Sequence, residues 1–152
     1  MTRIERVTSI NLPAPVVWDL LNQSKTLEKV AWPVMTYRPV TPLPPRWHVG
    51  FTTNIRPRFA GILPTGIHLV TFDTIDADNL RIVTHETGGA IREWNHTMQV
   101  HDIGEHRSVY VDTVDIDAGD ETDNIVAFAK FFYRHRHRRW QRLAAEYDEL
   151  VA

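Results

Sequence analysis

The strongest constraint on the fold lies at the C-terminal end. From Thr122 to Leu150 the chain contains no glycine or proline, and its apolar residues recur at helical spacing. Asp120, Thr122 and Asp123 stand before it as capping and early-turn residues. The segment predicts one helix of about 28 residues, roughly 42 Å long. A helix of that length must bury one face against something equally long. With Arg136 as origin and about 100° per residue, Ile125, Ala129, Phe132, Trp140, Leu143, Tyr147 and Leu150 fall within about 40° of it. Lys130, Arg134, Arg138 and Arg142 fall on the far side and are expected in solvent. Arg139, at about 60°, reaches outward along its own stem. His135 and His137 fall on opposite flanks, too divergent to share a metal, which needs i, i+4 spacing on one helix.

What the long helix packs against is read from the preceding residues. Residues 3–11 alternate like a strand. "LPAPVVWDLLN" and "SKTLEKVAWP" follow as two short helices, with prolines 13 and 15 at the first start, Ser24 as the second N-cap and Pro33 as the stop. The period then changes to two in "MTYRPVT", "WHVGFTTNI", "GIHLVTFDTI", "LRIVTHET", "IREWNHTMQVH" and "SVYVDTVDI", joined by short turns. Consecutive strands with short turns predict an antiparallel meander. The expected fold class is α+β. A curved antiparallel sheet of about seven strands wraps around the long C-terminal helix, and two short helices follow the first strand. The 152 residues form one domain, 1–152, and such a pairing leaves a hollow between helix and sheet.

Composition narrows the function. There is no cysteine, which excludes disulfides, thiolate catalysis and cysteine-based zinc sites, and suits the cytoplasm. The net charge of −2 argues against a dedicated nucleic-acid binder. "MTRIERVTSINLP" carries charges inside its apolar alternation, unlike a signal peptide or a membrane span. "DIDAGDETDN" fails the calcium-loop pattern at Gly119 and Val126, and "HETGG" is not H-E-x-x-H. No phosphate-binding glycine loop or nucleophile elbow occurs. No metal or cofactor is expected. His68, His85 and His101 do not combine into a metal site, and most of them are expected at the surface or rim. Trp32, Tyr37, Trp47 and Phe59 are placed at a pocket mouth or in the core, and Arg56 and Arg58 in solvent.

Arg136 is the anomaly, because a guanidinium cannot shed its proton and must be answered inside the fold. The answer is an internal carboxylate, backbone carbonyls, cavity water, or an acidic or carbonyl-bearing ligand, unless a helix irregularity lets the side chain escape to solvent. In "VYVDTVDIDAG", strand parity turns Tyr110 and Asp112 inward with Val114 and Ile116. Counting back along the strand (roughly 17 Å) and forward along the helix (roughly 22 Å) puts Asp112 and Arg136 at similar depth, so they are expected to meet. In "REWNHTMQV", Trp94, His96, Met98 and Val100 share the inner face. His96 is then either a hydrogen-bonded core residue or a ligand-orienting acid/base group.

The element order, "PAPVVWDLL", "EWNHTMQV" and "FAKFFYRHRHRRWQRLA" resemble the START-related superfamily. This is the helix-grip fold of lipid-transfer proteins, the birch pollen allergen class, and polyketide cyclases and dehydrases. The resemblance implies a ligand cavity between the long helix and the sheet. The ligand expected there is small and mostly apolar, aromatic or lipid-like, with a polar or acidic end near Arg136. Phe132, Trp94, Met98 and Tyr110 would form the walls. The alternative is a cyclase- or dehydratase-like enzyme, in which His96 moves protons, Arg136 steadies an enolate oxygen and Asp112 orients one of them. A third reading uses the arginine-rich outer face of the helix for a protein partner. Neither nucleic-acid binding nor stable membrane insertion is expected.

Overall fold

The computed structural model describes the backbone of residues 1–59, 63–64 and 66–151, and the side chains of these except 59, 63, 64 and 148–151. The expectations for the Phe59 and Leu150 side chains lie outside the described residues. Strand β1 (Thr2–Ile10) is followed by helices α1 (Ala14–Leu21) and α2 (Ser24–Ala31). Then come β2 (Met35–Thr36), β3 (Thr52–Ile55), β4 (Arg58–Phe59), β5 (Leu63–Pro64), β6 (His68–Asp76), β7 (Arg81–Gly88), β8 (Ile91–Gly104) and β9 (Arg107–Asp117). A single 3-10 turn, Gly119–Glu121, leads into α3 (Thr122–Val151).

Six described strands form one antiparallel sheet in the order β1-β9-β8-β7-β6-β3. The expected count was about seven. The difference lies in "MTYRPVT", of which only Met35–Thr36 is strand, and that pairs in a separate small sheet, β2-β4-β5. Proline explains the shortfall. Pro39 has no N–H to give, and prolines 42, 44 and 45 follow. The segment still runs beside β3, through Arg38–Arg56 and Val40–Asn54 backbone bonds. Ser24 also departs from expectation. It is the first residue of α2 rather than its cap, and its N–H goes to the Pro45 carbonyl.

The turn into α3 is built for reversal. Gly119 takes φ +57°, and a Cβ there would stand 2.9 Å from the Arg92 guanidinium. The Thr122 hydroxyl donates to the Gly119 carbonyl at 2.7 Å and accepts from the Ala118 N–H at 3.0 Å. The helix then runs back over the sheet, packing on β1, β9 and α2. Its buried residues are Val126, Ala129, Phe132, Tyr133, Arg136, His137, Trp140 and Ala144. The centre of that face is turned by about 40° from Arg136 toward Trp140. Trp140 is wholly enclosed and packs on Tyr110 at 5.2 Å between ring centroids.

Trp140→Ala should lower stability by about 3–5 kcal/mol, through lost burial and the cavity left behind. Phe131→Ala, on the exposed side of the same helix, should stay within about 0.5 kcal/mol. Urea unfolding midpoints of the two variants and the parent check both.

Candidate functional site

The site grows from three alternations that meet. On β8, Trp94, His96, Met98 and Val100 face inward and are buried. On β9, Tyr110, Asp112, Val114 and Ile116 do the same. From α3, Arg136 and His137 descend onto them. Met98 lies directly opposite Asp112 in the β8–β9 register, so the two strands bring their inward side chains to one place.

Asp112 is 1% exposed and ringed by donors. Its Oδ1 accepts from His96 Nε2 at 2.6 Å and from the Tyr110 hydroxyl at 2.7 Å. Its Oδ2 accepts from His137 Nε2 at 2.9 Å and lies 3.4 Å from Arg136 Nε. The last contact is an ion pair without hydrogen-bond alignment, because the Nε–H is not directed at the carboxylate. Arg136 Nη2 instead donates to the Tyr110 oxygen at 3.1 Å and to Met98 Sδ at 3.4 Å. Burial by itself would raise the Asp112 pKa. The Arg136 charge, then His96 and the histidine hydrogen bonds, outweigh it and hold the carboxyl well below its usual range. Burial, assisted by Asp112, pushes the Tyr110 phenol well up, so it stays a donor.

An ionised Asp112 only accepts, so both histidines present Nε2–H to it. In a neutral His96 the Nδ1 atom then carries the lone pair. Neither His96 Nδ1 nor Arg136 Nη1 has a hydrogen-bond partner among the described residues, and neither is enclosed by protein. Both residues line a cavity of about 230 Å³ between α2, α3 and the β6–β8 side of the sheet. Its wall is mainly apolar, with Phe72, Trp94, Met98, Ile125, Phe128 and Phe132 prominent.

Solved structures share the overall fold. The Zhui aromatase/cyclase of Streptomyces sp. R1128 superposes with a TM-score of 0.73 at 15% identity, over 95% of this chain and 93% of that one. A START superfamily protein of Mycobacterium smegmatis superposes at 0.72 and 7% identity, over 95% and 97%. The chain has the START-type helix-grip fold. Norcoclaurine synthase of Thalictrum flavum, in complex with dopamine and hydroxybenzaldehyde, shares it at 0.71 and 14% identity, over 95% and 87%. No family model and no curated protein matches this chain.

Within this helix grip, Trp94, His96, Met98, Phe132 and Arg136 reach the cavity, and Arg136 meets Asp112. Asp112 and Tyr110 stand one layer behind the wall. The expectation that Tyr110 forms part of the wall is therefore corrected: α3 lies on β9 and seals that strand's inner side chains beneath it. His137 is a second correction. It was placed on a divergent flank, yet it is 2% exposed and bonded to Asp112. Val126, Tyr133 and Ala144 widen the apolar face on that side, and counting them would have brought His137 in. Of the three strand histidines expected mostly at the surface or rim, His68 is the exception, buried in the cavity wall with Nδ1 2.9 Å from Glu86 Oε1. The alternation His68, Val70, Phe72 carried that signal. His85 and His101 are exposed. Tyr37 and Trp47 line the cavity, whereas Trp32 lies outside it, beneath Arg139.

Asp112→Ala strands a buried guanidinium and should cost about 3–5 kcal/mol. The depressed Asp112 pKa also predicts an acid dependence. Its contribution is complete above the unfolded value of about 3.9 and is lost as pH falls through the lower folded value. Below about pH 4, parent stability should fall by up to about 1.4 kcal/mol per pH unit more than that of Asp112→Asn. Urea midpoints measured across this range test the difference in slope.

Proposed function

We propose that this protein is a single ligand-binding domain whose cavity holds a small, mostly apolar aromatic molecule with a neutral carbonyl oxygen. One observation carries the reading: an apolar cavity has on its wall two polar atoms without a hydrogen-bond partner among the described residues, Arg136 Nη1 and His96 Nδ1. A guanidinium N–H suits a carbonyl oxygen. The acidic ligand end considered from sequence is disfavoured, because Asp112 already answers the Arg136 charge at 3.4 Å and a second carboxylate would meet its repulsion. The missing cysteines suit a reducing compartment, and no helix among the described residues is long and apolar enough to cross a membrane.

A second reading is favoured by the 2.6 Å bond between His96 and Asp112. A carboxylate behind a histidine fixes its tautomer and stabilises the imidazolium formed when the other nitrogen takes a proton. His96 Nδ1 then removes a proton from the carbon next to the ligand carbonyl, and Arg136 steadies the enolate oxygen. The aromatase/cyclase and norcoclaurine synthase above are enzymes on the same fold, which supports this cyclase- or dehydratase-like alternative by analogy alone.

4-Ethylacetophenone tests both readings. Calorimetric titration should show saturable binding, lost in Thr84→Phe, which fills the cavity beside His96. Absence of saturable binding to the parent would sink the carbonyl reading. If the histidine acts as a base, deuterium exchange into the ketone's α-positions should be accelerated and fall about 10²–10⁴-fold in His96→Gln. Unchanged exchange in that variant removes the enzyme reading and leaves binding intact.

A further inference from the structure

The cavity has a second polar pole that the Arg136–His96 end does not use. Among the described lining residues, Glu86 is the one carboxylate and Arg136 the one Lys or Arg. The guanidinium is answered from behind by Asp112. Among the described residues no Lys or Arg stands behind Glu86 in the same way: its bonded partner is His68, through Oε1 at 2.9 Å. Its Oε2 has no hydrogen bond among the described residues and is not enclosed, and the side chain is 22% exposed. The Tyr37 and Tyr133 phenols on the same cavity, raised first by burial, are raised further by the Glu86 charge, so that charge is felt across the space.

Strand register sets the distance between the poles. Thr84 lies opposite His96, and Glu86 lies opposite Trp94. Glu86 and His96 are thus diagonal neighbours on one face of the sheet, about 7–8 Å apart at their Cα atoms. The two side chains do not turn to each other: Glu86 bonds to His68 on β6 and His96 to Asp112 on β9. A gap of that order between the two polar ends suits one aromatic ring with a polar group at each end.

We infer that Glu86 makes the cavity selective for a ligand carrying a protonated amine, one ring away from the oxygen held at Arg136 and His96. The inference rests on the carbonyl-binding reading above and adds the chemistry of the ligand's other end. A partly desolvated ammonium needs a paired carboxylate, and Glu86 Oε2 supplies one. A neutral ligand forgoes that pairing, and an anionic one meets repulsion from Glu86.

Three probes of matched shape test this: 4-(aminomethyl)acetophenone, 4-ethylacetophenone and 4-acetylphenylacetate. Calorimetry on the parent protein at neutral pH should show the amine binding at least tenfold tighter than the neutral ketone, with the anion weakest. In Glu86→Gln, the ratio between amine and neutral ketone should fall to within twofold, with a thermal melt confirming that the variant is folded. If that variant does not fold, the parent ratio still decides. A parent ratio within twofold, with the neutral ketone bound, overturns the amine inference and leaves the carbonyl reading standing. Tightest binding by the anion also overturns it. If none of the three binds, both readings fall together.

Discussion

The buried Asp112 carboxylate is the point on which the rest of the interior depends. Four groups from three elements converge on it: His96 from β8, Tyr110 from its own strand, and Arg136 and His137 from α3. Such a charge cluster is a poor device for raw stability, because an apolar set of the same volume often serves as well or better. What it supplies is orientation. With both oxygens of Asp112 occupied, the His96 ring is held with Nε2 toward the carboxylate, and the Arg136 fork is pinned by Tyr110 and Met98. His96 Nδ1 and Arg136 Nη1 are left for the cavity.

The cavity itself follows from how a straight rod meets a curved sheet. Helix α3 packs on β1 and β9, while β6, β7 and β8 stand across the cavity from α2 and α3. Register breaks at Phe72/Thr74, Glu86/Gly88 and Asp102/Gly104 bend these strands. Side chains on β9 are therefore sealed under the helix, and those on β8, one strand over, face open space. This one-strand difference separates a positioning group, Asp112, from a ligand-facing one, His96. It also places Glu86, one strand further along, and His68, two strands further, on the same open space.

Much of this was legible in the residues. The glycine- and proline-free run gave α3 to within a residue or two, and strand parity alone turned Asp112 and His96 inward. The depth count that brought Asp112 to Arg136 worked because a helix following a strand through a tight turn must double back along it. The failures share a cause. The inward face of α3 was centred on its oddest residue rather than on its apolar mass, so His137 was turned away from a core it occupies. His68 shares its strand face with Val70 and Phe72, and Glu86 shares its face with Ile82 and Thr84, so their parity was in the residues; a polar residue at the end of such an alternation reads as rim until the neighbouring strands are in place.

The sequence by itself determined which side chains lie on which face of each element, because helical and strand periods are local properties of the backbone. It thereby determined that one arginine must be neutralised inside the protein. The tertiary structure decided which inward groups are buried behind the wall and which meet the cavity. That outcome depends on where the helix axis falls across the curved sheet, and no local period encodes the position of one element against another.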